Sequence, residues 1–152
     1  MILFDPELVH VGGIYADKNE CLETMVGWLH EKHAFHNKRV FLRDLLDRES
    51  IMPTGIGRGV ALPHARSEAA AEMCVAVCVL GEGLEWQSLD GKPVRIVVLV
   101  SVPGKAGREY MQFMQAISEF CRHEENRRAL LMAGNDEDAY HLLQRIELHS
   151  EV

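Results

Sequence analysis

The chain has no surplus of basic residues. Its 152 residues hold 16 Lys and Arg against 23 Asp and Glu, a formal net charge of −7 with the eight histidines neutral. A nucleic-acid binder needs a basic face to displace counterions, and docking on anionic lipid makes the same demand, so both are set aside. A basic protein partner would be attracted instead. No apolar run approaches membrane-spanning length, so no direct membrane insertion is expected. The four cysteines, Cys21, Cys74, Cys78 and Cys121, form neither a CxxC pair nor a zinc spacing. Two fall in strand-like and two in helix-like sequence, which suits buried, reduced thiols. The first ten residues, MILFDPELVH, carry the acidic Asp5 and no basic stretch, unlike a secretory signal. A cytoplasmic protein is expected. Repeats, low-complexity tracts and linkers are also missing, which points to a single domain over 1–152.

Nearly half of the residues are hydrophobic, enough for a sizeable core. Residues 17–33 read as a helix with Asp17 and Glu20 as a capping box, and Cys21, Met25, Trp28 and Leu29 recur at helical spacing. A second helix is expected over 37–47. Residues 73–80 and 94–102 are apolar on both alternating faces, as strands covered on both sides of a sheet must be. The turn Asp90-Gly91-Lys92-Pro93 precedes the second of these. Helices follow over 109–121, 124–133 and 136–147, with Gly134 closing one and Asn135 or Asp136 capping the next. Strands apolar on both faces between helices predict a three-layer α/β/α sandwich around a central mixed β-sheet.

The stretch Thr54 to Arg66, TGIGRGVALPHAR, places glycines ahead of a short apolar run that reads as a strand ending on His64. Gly55, Gly57 and Gly59 do not match GxGxxG. Pro63 disfavours a helix directly behind them, and no GK[ST] follows, so neither dinucleotide nor Walker binding fits. Exposed N–H groups of a glycine loop can form an anion nest, and Arg48, Arg58 and Arg66 can supply positive charge. Imidazole is both neutral and nucleophilic near pH 7, and Pro63 restrains the backbone before it. These parts suit a phosphoryl group held on His64 and passed on. A surface histidine at a strand end fits the same spacing.

Glu49, six positions, Ile56-Gly57, two positions and Val60-Ala61-Leu62-Pro63-His64-Ala65 together match a phosphorylation-site signature. In this signature, and in the stretches 16–29, 88–103 and 126–143, the chain resembles the type 2 IIA components of the bacterial phosphoenolpyruvate:sugar phosphotransferase system. That is the fructose, mannitol and nitrogen-regulatory group. The resemblance implies that His64 accepts the phosphoryl group and that Arg48 positions it. Thr54 also sits where the family has it. The implied donor is the histidine-containing phosphocarrier protein. The implied recipient is a IIB component, with a membrane IIC component served indirectly, and no cofactor or metal is implied. Many relatives carry a second histidine at the start of a helix, where this chain has Tyr110. A tyrosine hydroxyl can donate to a phosphoryl oxygen but brings no charge. A regulatory module of the same fold, switching partners on phosphorylation, remains open.

His30, His33 and His36 are the most metal-like cluster. HEKH is not HExxH, however, and His36 would point away from the other two on a helix. A metal-dependent enzyme is the least favoured reading. Asp90 and the run Asp136-Glu137-Asp138 are expected to be structural.

Overall fold

The computed structural model describes residues 4–146. The elements, in chain order, are β1 (Val9–Gly13), α1 (Lys18–Glu31), α2 (Lys38–Ile51), β2 (Gly55–Gly57), β3 (Val60–Ala61), β4 (His64–Ser67), β5 (Cys74–Leu84), β6 (Val94–Pro103), α3 (Arg108–Arg122), α4 (Glu124–Leu131) and α5 (Asp136–Leu143).

The central strands form as their composition dictates. In β5, Ala76, Cys78 and Leu80 face α1 and α2, while Val75, Val77 and Val79 face the layer of α3, α4 and α5. In β6, Val97 and Leu99 join the first core, and Ile96, Val98, Val100 and Val102 join the second. Two cores on opposite faces of one sheet are the expected three layers. The order is β1-β5-β6-β3-β2, with β4 also paired to β6. The sheet is mixed: β5 and β6 are antiparallel, while β1 joins β5 and both β3 and β4 join β6 in parallel.

Caps set the helix starts. The Asp17 carboxylate accepts from the Glu20 N–H at 2.8 Å, and the Asn37 side chain accepts from the Val40 N–H at 3.1 Å. Asn135 does the same for α5, accepting from the Asp138 N–H at 2.8 Å. The expected end of α2 at residue 47 is corrected to Ile51. Nothing in the sequence breaks the helix before Pro53, which holds Met52 in extended backbone. That extra turn carries Arg48 and Glu49. Helix α4 stops at Leu131, ahead of Gly134, and α5 at Leu143; residue 147 lies outside the described residues.

The histidine cluster does not form on one helix. Helix α1 ends at Glu31, and His33 takes a left-handed φ of 59°. Among the described residues, no group of three or more His, Cys, Asp or Glu side chains is placed to hold a metal. Asp136 is structural: its carboxylate accepts from the Val11 N–H at 2.8 Å and lies 3.0 Å from His10 Nδ1, tying α5 to β1. All four cysteines are free, with Cys21, Cys78 and Cys121 buried and Cys74 partly so. Burial pushes the Cys74 and Cys121 thiols up to about 11. A hydrogen bond to Cys78 and burial also keep Cys21 protonated. Thiols in that state are poor nucleophiles at neutral pH. No helix of the described residues is long and apolar enough to cross a membrane.

Candidate functional site

The glycine stretch is a hairpin rather than a flexible loop. Strands β2 and β3 pair antiparallel, and Gly57, Arg58 and Gly59 turn the chain with φ of 96°, 60° and 78°. The nest this makes is already filled. Asp90 Oδ2 accepts from the Arg58 N–H at 2.8 Å, and Oδ1 accepts from the Lys92 N–H at 3.1 Å. The Arg58 N–H bond is the main reason the Asp90 carboxyl titrates below its ordinary range. The expected structural role of Asp90 is the one seen, and its anion comes from within the chain.

This hairpin tip lies away from His64. Val60 pairs with Ile96 and His64 with Val100, so the two are roughly 13 Å apart at about 3.3 Å per residue. Gly57 pairs with Val60 on the side away from β6, and the Gly59 carbonyl accepts from the Arg95 and Ile96 N–H groups, so both glycines stay at that far end. The Arg58 guanidinium reaches the Arg122 carbonyl at the far end of α3, at 3.0 Å. The structure therefore separates Gly57, Arg58 and Gly59 from the imidazole. Replacing Gly57 with alanine is expected to cost about 1–2 kcal/mol in chemical denaturation, because φ of 96° is strained for any side chain. The chemistry at His64 should be retained in that variant.

His64 opens β4; it does not close β3. The break falls at Leu62-Pro63, where proline has no N–H to offer the ladder. The Pro63 carbonyl instead accepts from the Val100 N–H at 2.9 Å, and β4 resumes the pairing on the same side of β6. His64 thus stands half-buried at the sheet edge, between the last turn of α2 and the first turn of α3.

The ring is held in one tautomer. Nδ1 lies 2.8 Å from the Leu62 carbonyl, a pure acceptor, so Nδ1 carries the proton and Nε2 keeps its lone pair. Burial is the main reason this imidazole titrates below its ordinary value, and the Arg48 charge acts the same way; the Leu62 carbonyl and Glu49 oppose both. A neutral ring with one free lone pair is the state a nucleophile needs.

The Leu62 carbonyl is positioned by a buried chain of contacts. The Leu62 N–H donates to the Thr54 carbonyl at 3.0 Å. The Thr54 N–H donates to Glu49 Oε2 at 2.8 Å, and the Thr54 hydroxyl donates to Glu49 Oε1. Glu49 is only 4% exposed, and Lys18 Nζ supplies its counter-charge at 2.9 Å. The Trp86 indole N–H reaches the Thr54 hydroxyl oxygen at 3.4 Å, and Lys18 lies over the Trp86 ring at 5.3 Å from its centroid. Thr54 and Gly55 therefore sit at the end of the hairpin that supports His64.

Of the remaining expected residues, Arg48 donates to the Met52 carbonyl at 2.8 Å, on the turn facing His64. The Tyr110 ring centroid is 5.9 Å from that of His64. Tyr110 lies in the first turn of α3, whose N-cap Gly107 provides no side-chain hydrogen bond, so its first N–H groups are uncapped. Arg66 follows on the same face of β4, with its guanidinium carbon 5.8 Å from the Tyr110 ring centroid.

Sequence reasoning missed Lys18, Trp86 and the Leu62 carbonyl. Lys18 had a signal: a cation in the first turn of a helix opposes the dipole and needs a partner elsewhere. Trp86 sits in a polar stretch yet is wholly buried. The Leu62 carbonyl carries no side-chain signature.

Chemically, the arrangement offers one neutral imidazole nitrogen, the Arg48 charge acting on it and uncapped helix N–H groups. Residues 2–146 match the protein family described as "Phosphoenolpyruvate-dependent sugar phosphotransferase system, EIIA 2". The chain is similar to the PTS system fructose-specific EIIA component of Haloferax volcanii, 27% identical over 92% of this chain and 91% of that protein. It is also similar to a nitrogen regulatory protein of Pseudomonas aeruginosa, 26% identical over 92% of this chain and 90% of that one. The crystal structure of the nitrogen regulatory protein IIA-Ntr from Neisseria meningitidis has the same fold. Its TM-score is 0.85 at 22% identity, covering 93% of this chain and 96% of that one.

Proposed function

The chain belongs to the EIIA type 2 family of the phosphoenolpyruvate-dependent sugar phosphotransferase system, a family of phosphoryl carriers, and we propose that His64 is the residue that carries the phosphoryl group here. The observation that supports this most is the tautomer. With Nδ1–H on the Leu62 carbonyl, the lone pair is on Nε2.

In the proposed step the donor is a phosphohistidine of the histidine-containing phosphocarrier protein. A nitrogen–phosphorus bond forms at Nε2 of His64 as the donor's bond breaks. The donor imidazole, protonated at its other nitrogen, leaves as a neutral ring. His64 keeps its Nδ1 proton on the Leu62 carbonyl. Charge on the equatorial phosphoryl oxygens is met by Arg48 and by the first-turn N–H groups of α3. The phosphoryl group then passes to a IIB component, and through it serves a membrane IIC component. The reaction belongs in the cytoplasm, where phosphoenolpyruvate is made. Exposed Ile51, Met52 and Met111, on the turns that flank His64, supply an apolar rim on which either partner can dock.

Sugar-specific and nitrogen-regulatory relatives match at nearly the same identity, 27% and 26%. That supports a second reading, in which phosphorylation of His64 switches a binding partner and no sugar is involved. The test is incubation with phosphoenolpyruvate and the two general carrier proteins, followed by addition of candidate IIB proteins. Transport predicts an acid-labile adduct that one IIB protein removes within seconds. Regulation predicts an adduct that no IIB protein removes. No adduct at all overturns both.

A further inference from the structure

A phosphoryl group on His64 brings two negative charges at neutral pH, yet Arg48 supplies only one guanidinium and spends one of its N–H groups on the Met52 carbonyl. Tyr110, at the other side of the imidazole, is neutral. Strand alternation puts Arg66 on the same face of β4 as His64, two residues on, and both look toward the start of α3. The Tyr110 ring lies beside both, 5.9 Å from the His64 ring and 5.8 Å from the Arg66 guanidinium carbon. Among the described residues, no carboxylate stands within ion-pair distance of Arg66. Its single polar contact there is to the Gly104 carbonyl at 3.5 Å, too long to hold the side chain. An exposed guanidinium resting on an aromatic face, with no carboxylate partner, is free to turn onto an anion that arrives next door.

We propose that Arg66 is the second cation on the phosphoryl group of His64, and that the face of Tyr110, rather than its hydroxyl, holds Arg66 ready for it. This rests on the reading of His64 as the phosphoryl carrier. A planar guanidinium donates two parallel N–H bonds to a phosphoryl group, which an ammonium does not. Binding the dianion favours loss of the last phosphoryl proton, so the phosphoryl group should titrate lower with Arg66 present than without it.

The experiment follows that titration by phosphorus NMR. Phosphoramidate, a small donor that needs no partner protein, phosphorylates the wild type, Arg66→Gln, Arg66→Lys, Tyr110→Phe and Tyr110→Ala, and the spectrum of His64→Ala is subtracted. The Arg66→Gln midpoint should rise by about half a unit to one unit, as expected for losing one partly exposed cation. Arg66→Lys should recover part of the shift. Tyr110→Phe should behave as wild type, and Tyr110→Ala should approach Arg66→Gln. Transfer from the phosphocarrier protein to Arg66→Gln should slow about tenfold. Thermal melts of Arg66→Gln and Arg66→Lys should agree with wild type within a few degrees, because Arg66 is exposed, while Tyr110→Ala, which removes a ring packed on the core, should melt lower but remain folded. An Arg66→Gln midpoint equal to the wild type overturns the proposal and leaves His64 as the carrier. A Tyr110→Phe midpoint equal to that of Arg66→Gln also overturns it, by assigning the effect to the hydroxyl. No wild-type signal beyond that of His64→Ala overturns the carrier reading and this proposal with it.

Discussion

Glu49→Ala should lower the stability of the fold by about 3 kcal/mol, at the lower end of what breaking a buried ion pair costs. The carboxylate is 4% exposed and answers three donors: Lys18 Nζ, the Thr54 N–H and the Thr54 hydroxyl. Removing it leaves a buried N–H without a partner and an ammonium without its counter-charge. Lys18 retains some access to water, which relieves part of the loss. For a domain of this size the melting temperature should fall by roughly 6–12 °C. Glu49→Gln should cost less, because its carbonyl oxygen can still accept from Thr54. The double variant Lys18→Met/Glu49→Ala should cost much less than the sum of the singles, since once either partner is gone the other has nothing further to lose. The effect should reach the chemistry. Glu49 holds Thr54, the Thr54 carbonyl holds the Leu62 N–H, and the Leu62 carbonyl holds His64 Nδ1. Glu49→Gln should therefore fold but accept phosphoryl more slowly than wild type. A Glu49→Ala variant that melts at the wild-type temperature contradicts this account of the hairpin.

That chain of contacts also marks where the sequence was legible. Strands β5 and β6 could be read directly, because a segment apolar on both faces has few other places to go. Asp17 and Asn135 announced their helices for the same local reason, each cap bonding an N–H three residues on, and Asn37 caps its helix in the same way without having been read as a cap. Of the short strands, β1, β2 and β4 were not legible, and β3 was read as a strand but with its end misplaced at His64. Each has two to five residues and exists because a neighbouring strand supplies its hydrogen bonds. The glycines were read as a phosphate cradle, and Gly57 and Gly59 do take the positive φ values such a nest needs. Asp90, thirty-two residues away, fills that nest. Spacing alone carries no sign of a contact so distant. The Arg48 charge and the Tyr110 ring lie near His64, and Thr54 reaches it through the Leu62 backbone. The ion pair beneath them pairs residues 31 apart, Lys18 and Glu49, and only folding connects the two.

His64→Ala should abolish phosphoryl acceptance altogether, with the fold intact. A half-buried ring on an edge strand is cheap to remove, and His64 is the histidine held beside the Arg48 charge and the Tyr110 ring at the start of α3. The pH dependence follows from the lowered imidazole value. Below the ordinary 6.5 the unfolded ring would already be protonated, but the folded ring stays neutral. The acceptance rate should thus be flat through neutral pH, persist below 6.5, and fall as pH drops through the folded value. Arg48→Met removes one of the two causes of the lowering, so its fall should begin at a higher pH. It should also slow transfer about tenfold through loss of a charge-assisted bond to the phosphoryl group. A rate that rises as pH falls through this window would contradict a neutral nucleophile.

Nitrogen–phosphorus correlation NMR reads directly which nitrogen of His64 carries the phosphoryl group. The protein, labelled with ¹⁵N in its histidine rings, is phosphorylated through the general carrier proteins and its phosphohistidine resonances are recorded. A single phosphorus coupling is expected, to Nε2 of the ring that disappears in His64→Ala, with the Nδ1 proton still present. Coupling to Nδ1, or to any other histidine, would contradict it.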